Sequence, residues 1–497
     1  SLTEGPANGP QRSPVNSRSN ISLKAVYSGP GTEFFLPPSS LMAGPIPTYG
    51  VMIMKGSTLR TVFLPCSVSG PWVWPVLILG SLLLLAPVSS RLARYLEGLD
   101  RFAATDKPRR TTLLLLLVFL SAASFILWNF RNSTHFLGDG FLWANHLMRD
   151  IVFREPVSTW LYRGIYRGLN GVRIFGEVSP VWSSAMMSVA AGLVFIVLAH
   201  KTARMLYEKR GDYILISMSL LSCGTVMLFF GYVETYPPVA AGVMAFLYFS
   251  LRRLRQGGSV IPAVLALLVT TILHLSAITL LPGLLFLLHV NAGRSVERRS
   301  LIRLLTLAIV AGFAALWIFQ ADGTFGGFFK EHFLPLFTSS SNQDVAYPFF
   351  SLRALFDHTN ELLLICPLVI LLPLLLIARR RQKDKDKGKK PKAEGIREYE
   401  RIFLVVSALF YFLVFVVFNK VIGTSRDWDL FSPLAFPLVL WIVLLIRDAF
   451  PDRRSEFAIL VTALIITHTA PWIILNTDLV KSEERFVDLC EDGYWSN

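Results

Sequence analysis

Stretches such as LLLLLVFLSAASFILW, residues 113–128, carry no charge and hardly a polar atom. A helix of about 20 apolar residues crosses the roughly 30 Å hydrocarbon core of a bilayer while satisfying its own backbone hydrogen bonds. Comparable runs recur along most of the 497 residues. They are continuous rather than alternating, which excludes a β-barrel. With 53% hydrophobic residues and a mean hydropathy of +0.51, the chain is read as an all-α polytopic membrane protein. Twelve spans are expected, at 72–90, 111–130, 180–200, 212–230, 237–253, 260–275, 277–290, 301–320, 361–378, 402–418, 433–447 and 456–475.

The basic residues orient these spans. With the 91–110 loop placed in the cytoplasm, the inner loops hold 31 Lys and Arg against 12 in the outer segments. That is the positive-inside bias. It also accounts for the net charge of +14 without nucleic acid. The run RRRQKDKDKGKKPK in the 379–401 loop becomes a cytoplasmic surface that solvates itself or meets lipid headgroups.

Residues 1–54 are polar and rich in Gly, Pro, Ser and Asn, and are expected to be a disordered leader without function. Met52 and Met54 are candidate natural starts, with a misread upstream frame as a candidate source of the leader. No cleavable signal peptide is evident. Cys66, Cys223, Cys366 and Cys490 have no metal-pair spacing, and two of them lie in apolar runs. A Cys66–Cys490 bridge requires both to lie outside.

Two outer loops are long. In 131–179, FLWANHLMRDIVF groups Phe141, Leu142, Leu147, Met148, Ile151 and Val152 on one helical side. STWLYRGIYRGLN groups Trp160, Leu161, Ile165, Tyr166 and Leu169 in the same way. Both are expected to lie along the outer membrane surface. The 321–360 loop, beginning ADGTFGGFFKEHFLPLF, has the glycine and aromatic content of a lid. Residues 476–497 form an outer tail.

Polar residues near membrane depth are costly, and so are functional candidates. They fall on the outer side: Asp139 in LGDGF, Glu234 in FFGYVETYPP, His274 in TILHLSA, Glu331 and His332 in the second long loop, and Lys420, Arg426, Asp427 and Asp429 in NKVIGTSRDWDLFSP. Each has a structural alternative. Gly-Asp-Gly is an ordinary turn. Glu234 can solvate a short turn before Pro237 and Pro238. His274 can be a hydrogen-bonded core histidine, and Arg426 to Asp429 a surface ion-pair cluster. The Asp-x-Asp spacing admits a divalent metal (Mg or Mn) as a cofactor, but two carboxylates do not complete a site. The convergence favours function. Carboxylates flanked by Phe136, Phe141, Trp143, Tyr232, Tyr236 and Trp428 suit a sugar, and cations beside them suit a phosphate. Together they suggest a lipid-linked phosphosugar.

From about residue 105 to 475 the pattern resembles the GT-C superfamily of membrane glycosyltransferases. The features that carry the resemblance are the inward-starting span before LGDGF, the acid Asp139, the surface helices after it, and the outer turns YVETYP and DWD. The resemblance implies inverting sugar transfer from a polyprenyl-phosphate donor to a glycan, lipid or protein acceptor. On that basis Asp139 is the general base, and Arg426, with Lys420 second, stabilises the leaving phosphate. Glu234, His274, Tyr232, Tyr236, Asp427, Trp428 and Asp429 bind sugar or acceptor, while Glu331 and His332 close over the donor. The setting implied is a bacterial cytoplasmic membrane with the active face outside. Three features depart from the pattern: the extra span 72–90, an acid set as Gly-Asp-Gly, and no large soluble outer domain after the last span, which argues against peptide glycosylation.

The alternatives are a secondary transporter, a lipid-linked glycan ligase or polymerase, and a non-catalytic scaffold. A transporter places ionisable groups near mid-membrane, often within inverted repeats. A ligase is expected to rely on arginines and a histidine in one large outer loop. A scaffold needs no convergent acids.

Overall fold

Helix Tyr236–Gln256 links two polar belts. Its first residue sits among acids, while Arg255 near its end lies in a buried network of arginines and acids. Nineteen residues separate them, a rise of about 28 Å at 1.5 Å per residue. That is close to the thickness of a bilayer's hydrocarbon core.

The computed structural model describes residues 73–85, 88–89, 91–95, 97–98, 109–135, 139–152, 155–172, 178–290, 333–334, 348–385, 394–419 and 427–489, all within one unit, Gly56–Asn497. Among them the only strand pairing is a single bridge between Phe333 and Phe418. The elements that build the site are α1 (Arg109–Asn129), α2 (Gly140–Met148), α3 (Pro156–Val172), α4 (Pro180–Leu206), α5 (Asp212–Leu221), α6 (Tyr236–Gln256), α7 (Ile261–Leu273), α8 (Glu394–Val417), α9 (Ala435–Ala449), α10 (Arg454–Leu464), α11 (Ala470–Thr477) and α12 (Leu479–Leu489).

Among the described residues, four helical stretches are long and apolar enough to cross a membrane: Pro180–Leu206, Ile396–Val417, Trp428–Ala449 and Arg454–Thr477. The third is central, with 94% of its apolar window buried against 39–50% for the others. Shorter apolar helices are Leu114–Asn129, Asp212–Leu221, Ile261–Leu273 and Leu275–Val290. Helix α4 starts on a strong cap: the Ser179 hydroxyl accepts from Trp182 N at 3.2 Å and Pro180 opens the first turn. Helices α6 and α7 pack closely because Gly242 faces Thr270. A Cβ there would stand 2.2 Å from the Thr270 hydroxyl, the small-residue approach common between membrane helices.

Several expected spans are interrupted. The 361–378 span breaks at Cys366, and Leu352–Ile365 meets Pro367–Gln382 at 109°. Pro367 lacks the N–H that would continue the helix, and it disfavours a helical residue before it. The 212–230 span stops as α-helix at Leu221 and resumes as 3-10 helix Gly224–Phe229. Between α7 and the next segment His274 is extended, its ring capping the new turn through Ser276 N. The 301–320 span lies outside the described residues, as do the 1–54 leader, Cys66 and Cys490. Cys223 and Cys366 are buried thiols.

The basic end of the bundle is tied together by ion pairs. Arg255 meets Glu400 at 2.7 Å and Glu208 at 2.8 Å, and Arg447 meets Glu208 at 2.7 Å and Asp212 at 3.3 Å. Arg454 reaches Asp212 at 2.6 Å. This network joins α5, α6, α8, α9 and α10. It lies at the end the basic loops assign to the cytoplasm.

Candidate active site

At the opposite end, the turn before α2 packs onto the turn before α6. A Cβ on Gly140 would stand 2.8 Å from the Val233 carbonyl, so the Gly-Asp-Gly turn can sit here only with glycine at that position. The Asp139 N–H donates to Glu234 Oε1. Tyr162 of α3 donates to the Glu234 carbonyl at 2.7 Å, and packs edge-on against Trp143 of α2 at 5.2 Å. Helices α2 and α3 fall where two amphipathic helices were expected in the 131–179 loop, with one correction. Their inward faces are Trp143, Ala144 and Leu147, and Ser158, Thr159 and Tyr162. Phe141, Leu142, Met148, Ile151, Val152, Trp160 and Leu161 stay exposed. Leu147 therefore belongs to the packed side rather than the exposed one.

Behind Asp139 lies a second acid pair. Glu234 and Asp429 are hydrogen-bonded carboxyl to carboxyl, and both are buried. Asp429 already accepts from the Tyr232 hydroxyl at 2.7 Å through Oδ2 and from Leu430 N at 3.0 Å through Oδ1. Two carboxyl groups in contact share a proton. Since Asp429 is fully engaged as an acceptor, the proton belongs on Glu234. Burial above all, then the neighbouring Asp429 and Asp139, pushes the Glu234 carboxyl well above its ordinary range. Burial, then Asp429 and Glu234, likewise raises the Tyr232 phenol.

Aromatic rings wall the cluster. Tyr232 packs edge-on to Trp428 at 5.7 Å, and Trp428 to Trp472 of α11 at 5.6 Å. Tyr236 stands among Asp429, Asp427, Glu234 and Glu155, and its ring lies 5.0 Å from His274. Ser276 N donates to His274 Nδ1 at 3.2 Å, so Nε2 carries the proton and faces Glu155 Oε1 at 3.5 Å.

The structure thus brings together Asp139, Tyr232, Glu234, Tyr236, His274, Trp428 and Asp429, with Asp427 half-buried beside them. Lys420, Arg426, Glu331 and His332 lie outside the described residues. Five members were not expected: Glu155, Tyr162, His135, Trp472 and Arg485. His135 precedes Asp139 by one turn of chain. Its Nδ1 is buried without a hydrogen-bond partner, and burial pushes its pKa down to about 4. Its sequence signal was present in THFLGDGF, one histidine four residues before the acid. Among the described residues no three His, Cys, Asp or Glu side chains are arranged to hold a metal ion.

No known protein family matches the sequence, and no curated protein matches it. Among solved structures, the chain aligns with ArnT from Cupriavidus metallidurans in the apo state at 12% identity, covering 74% of this chain and 77% of that one, with a TM-score of 0.46. The same protein bound to undecaprenyl phosphate aligns at 12% identity over 77% of this chain and 80% of that one, with a TM-score of 0.43.

Proposed function

We propose that this protein is a membrane glycosyltransferase that moves a sugar from a polyprenyl-phosphate donor to a glycan, lipid or protein acceptor at the outer face of a bacterial cytoplasmic membrane. One observation carries the proposal: Asp139, Glu234 and Asp429, from three distant parts of the chain, meet at one end of the bundle inside an aromatic wall. Building such a site in a membrane protein means burying carboxyl groups at considerable cost. A scaffold has no use for it. A transporter is expected to hold its ionisable groups near mid-membrane, whereas these sit about one bilayer thickness from the cytoplasmic arginine network.

The acids divide the work. Glu234 is neutral and fixes the Asp139 backbone, and Asp429 is taken up by Tyr232, Leu430 N and Glu234, so the role of base falls to Asp139. The acceptor hydroxyl attacks the anomeric carbon as Asp139 removes its proton. The bond from that carbon to the phosphate oxygen breaks, and the prenyl phosphate leaves as a monoester. A single displacement inverts the configuration. Tyr236 and Asp427, only half-buried, offer hydrogen-bonding positions for sugar hydroxyls, while the buried Asp429, Tyr232 and Trp428 hold Glu234 in place behind them. The test is release of sugar from labelled polyprenyl-phosphate donors by the purified protein, compared with Asp139→Asn.

A further inference from the structure

Among the described residues, Arg485 is a buried cation with no ion pair. Arg485 comes from α12, beyond the last span, and reaches back to the site with its guanidinium carbon 4.4 Å from the centre of the Trp472 ring. Its Nη1 and Nη2 atoms are buried and have no hydrogen-bond partner among the described residues. Lys481 on the same helix is already engaged with Asp478 at 3.6 Å. Burial pushes the Arg485 pKa down to about 10, which leaves it charged at neutral pH, and the nearby group acting on it is Tyr232. A buried guanidinium with unmade hydrogen bonds is among the costliest arrangements a protein can hold. It is expected where an anion completes it.

We infer that Arg485, stacked on Trp472 beside the acid cluster, is the subsite for the substrate's phosphate group. The guanidinium fork matches the planar oxygen pair of a phosphate ester. Trp472, Trp428 and Tyr232 connect it to Asp429 and Glu234, and so to Asp139. The cation and the base then serve different atoms of one reaction, Arg485 the leaving phosphate and Asp139 the attacking hydroxyl. This assignment rests on the transfer reaction proposed for that cluster. The exposed Leu479 and Val480 on the same helix favour a lipid as the phosphate's carrier over a soluble ester.

The test uses the full chain in nanodiscs, with decaprenyl phosphate, decaprenol and inorganic phosphate as probes. Wild type is expected to bind decaprenyl phosphate at least tenfold tighter than decaprenol. Arg485→Gln is expected to lose that preference, Arg485→Lys to keep part of it, and Asp139→Asn to keep all of it. Inorganic phosphate binding as well as the lipid would keep the subsite and assign it to a soluble ester. Without ligand, Arg485→Met is expected to unfold at a higher temperature than wild type, because an unpaired buried charge is removed. A lower unfolding temperature would make Arg485 a structural residue and overturn the inference. Full preference retained in Arg485→Gln would overturn it while leaving the transferase proposal standing. No preference in wild type would overturn both.

Discussion

The backbone N–H of Asp139 donates to the Glu234 carboxyl across 95 residues of chain. The turn before α2 is thereby held by the turn before α6, four helices later. Glu234 can accept that bond and donate to Asp429 only while it keeps its proton.

Glu234→Gln preserves a neutral group of the same shape. It is expected to change stability by less than about 1 kcal/mol. Glu234→Ala strands the Asp139 N–H and one side of Asp429, and is expected to cost about 2–4 kcal/mol. Thermal unfolding in detergent separates the two.

The same proton gives stability a sign against pH. The folded Glu234 carboxyl titrates well above its unfolded value of 4.5. Its contribution is complete below pH 4.5 and is lost as the pH rises through the folded pKa. His135 works the other way. Its folded pKa of about 4 lies below the unfolded 6.5, so its contribution is complete above pH 6.5 and is lost as the pH falls toward 4. Unfolding temperatures measured across pH should lose the first slope in Glu234→Gln and the second in His135→Gln.

Gly140→Ala places a methyl 2.8 Å from the Val233 carbonyl and should displace the Asp139 turn. An activity loss of about tenfold or more is expected, by the sensitivity of catalysis to misplacement. Gly168→Ala, with open space around the new methyl on α3, should leave activity unchanged and add up to about 1 kcal/mol of helix stability.

Much of this site could be read from the sequence because the chain is so apolar. Asp139, Glu234 and Asp429 stand out against runs that exclude charge, and the basic loops assign them all to one side. Which acids touch could not be read, because Asp139 and Glu234 meet through tertiary packing of two turns. Arg485 was hidden for a related reason. It lies in LVKSEERFVDL, where its charge looks like one more solvated residue of an amphipathic helix. The break at Cys366 was masked by apolar residues on both sides, and only Pro367 signalled it.

Tyr232→Phe removes one hydroxyl, the donor to Asp429 at 2.7 Å. The expected cost is about 1 kcal/mol of stability, with a fall of about tenfold in turnover because Asp429, and through it Glu234, is held less firmly. Initial rates and unfolding temperatures on one preparation measure both.

Release of radiolabelled sugar from a panel of polyprenyl-phosphate donors tests the central claim most directly. Purified protein in nanodiscs is supplied with crude lipid and glycan extract as acceptor, with and without chelator, and wild type is compared with Asp139→Asn. Release by wild type, falling by about 10²-fold or more in the variant, is the predicted result for a general base. Equal release by both proteins would contradict the role given to Asp139.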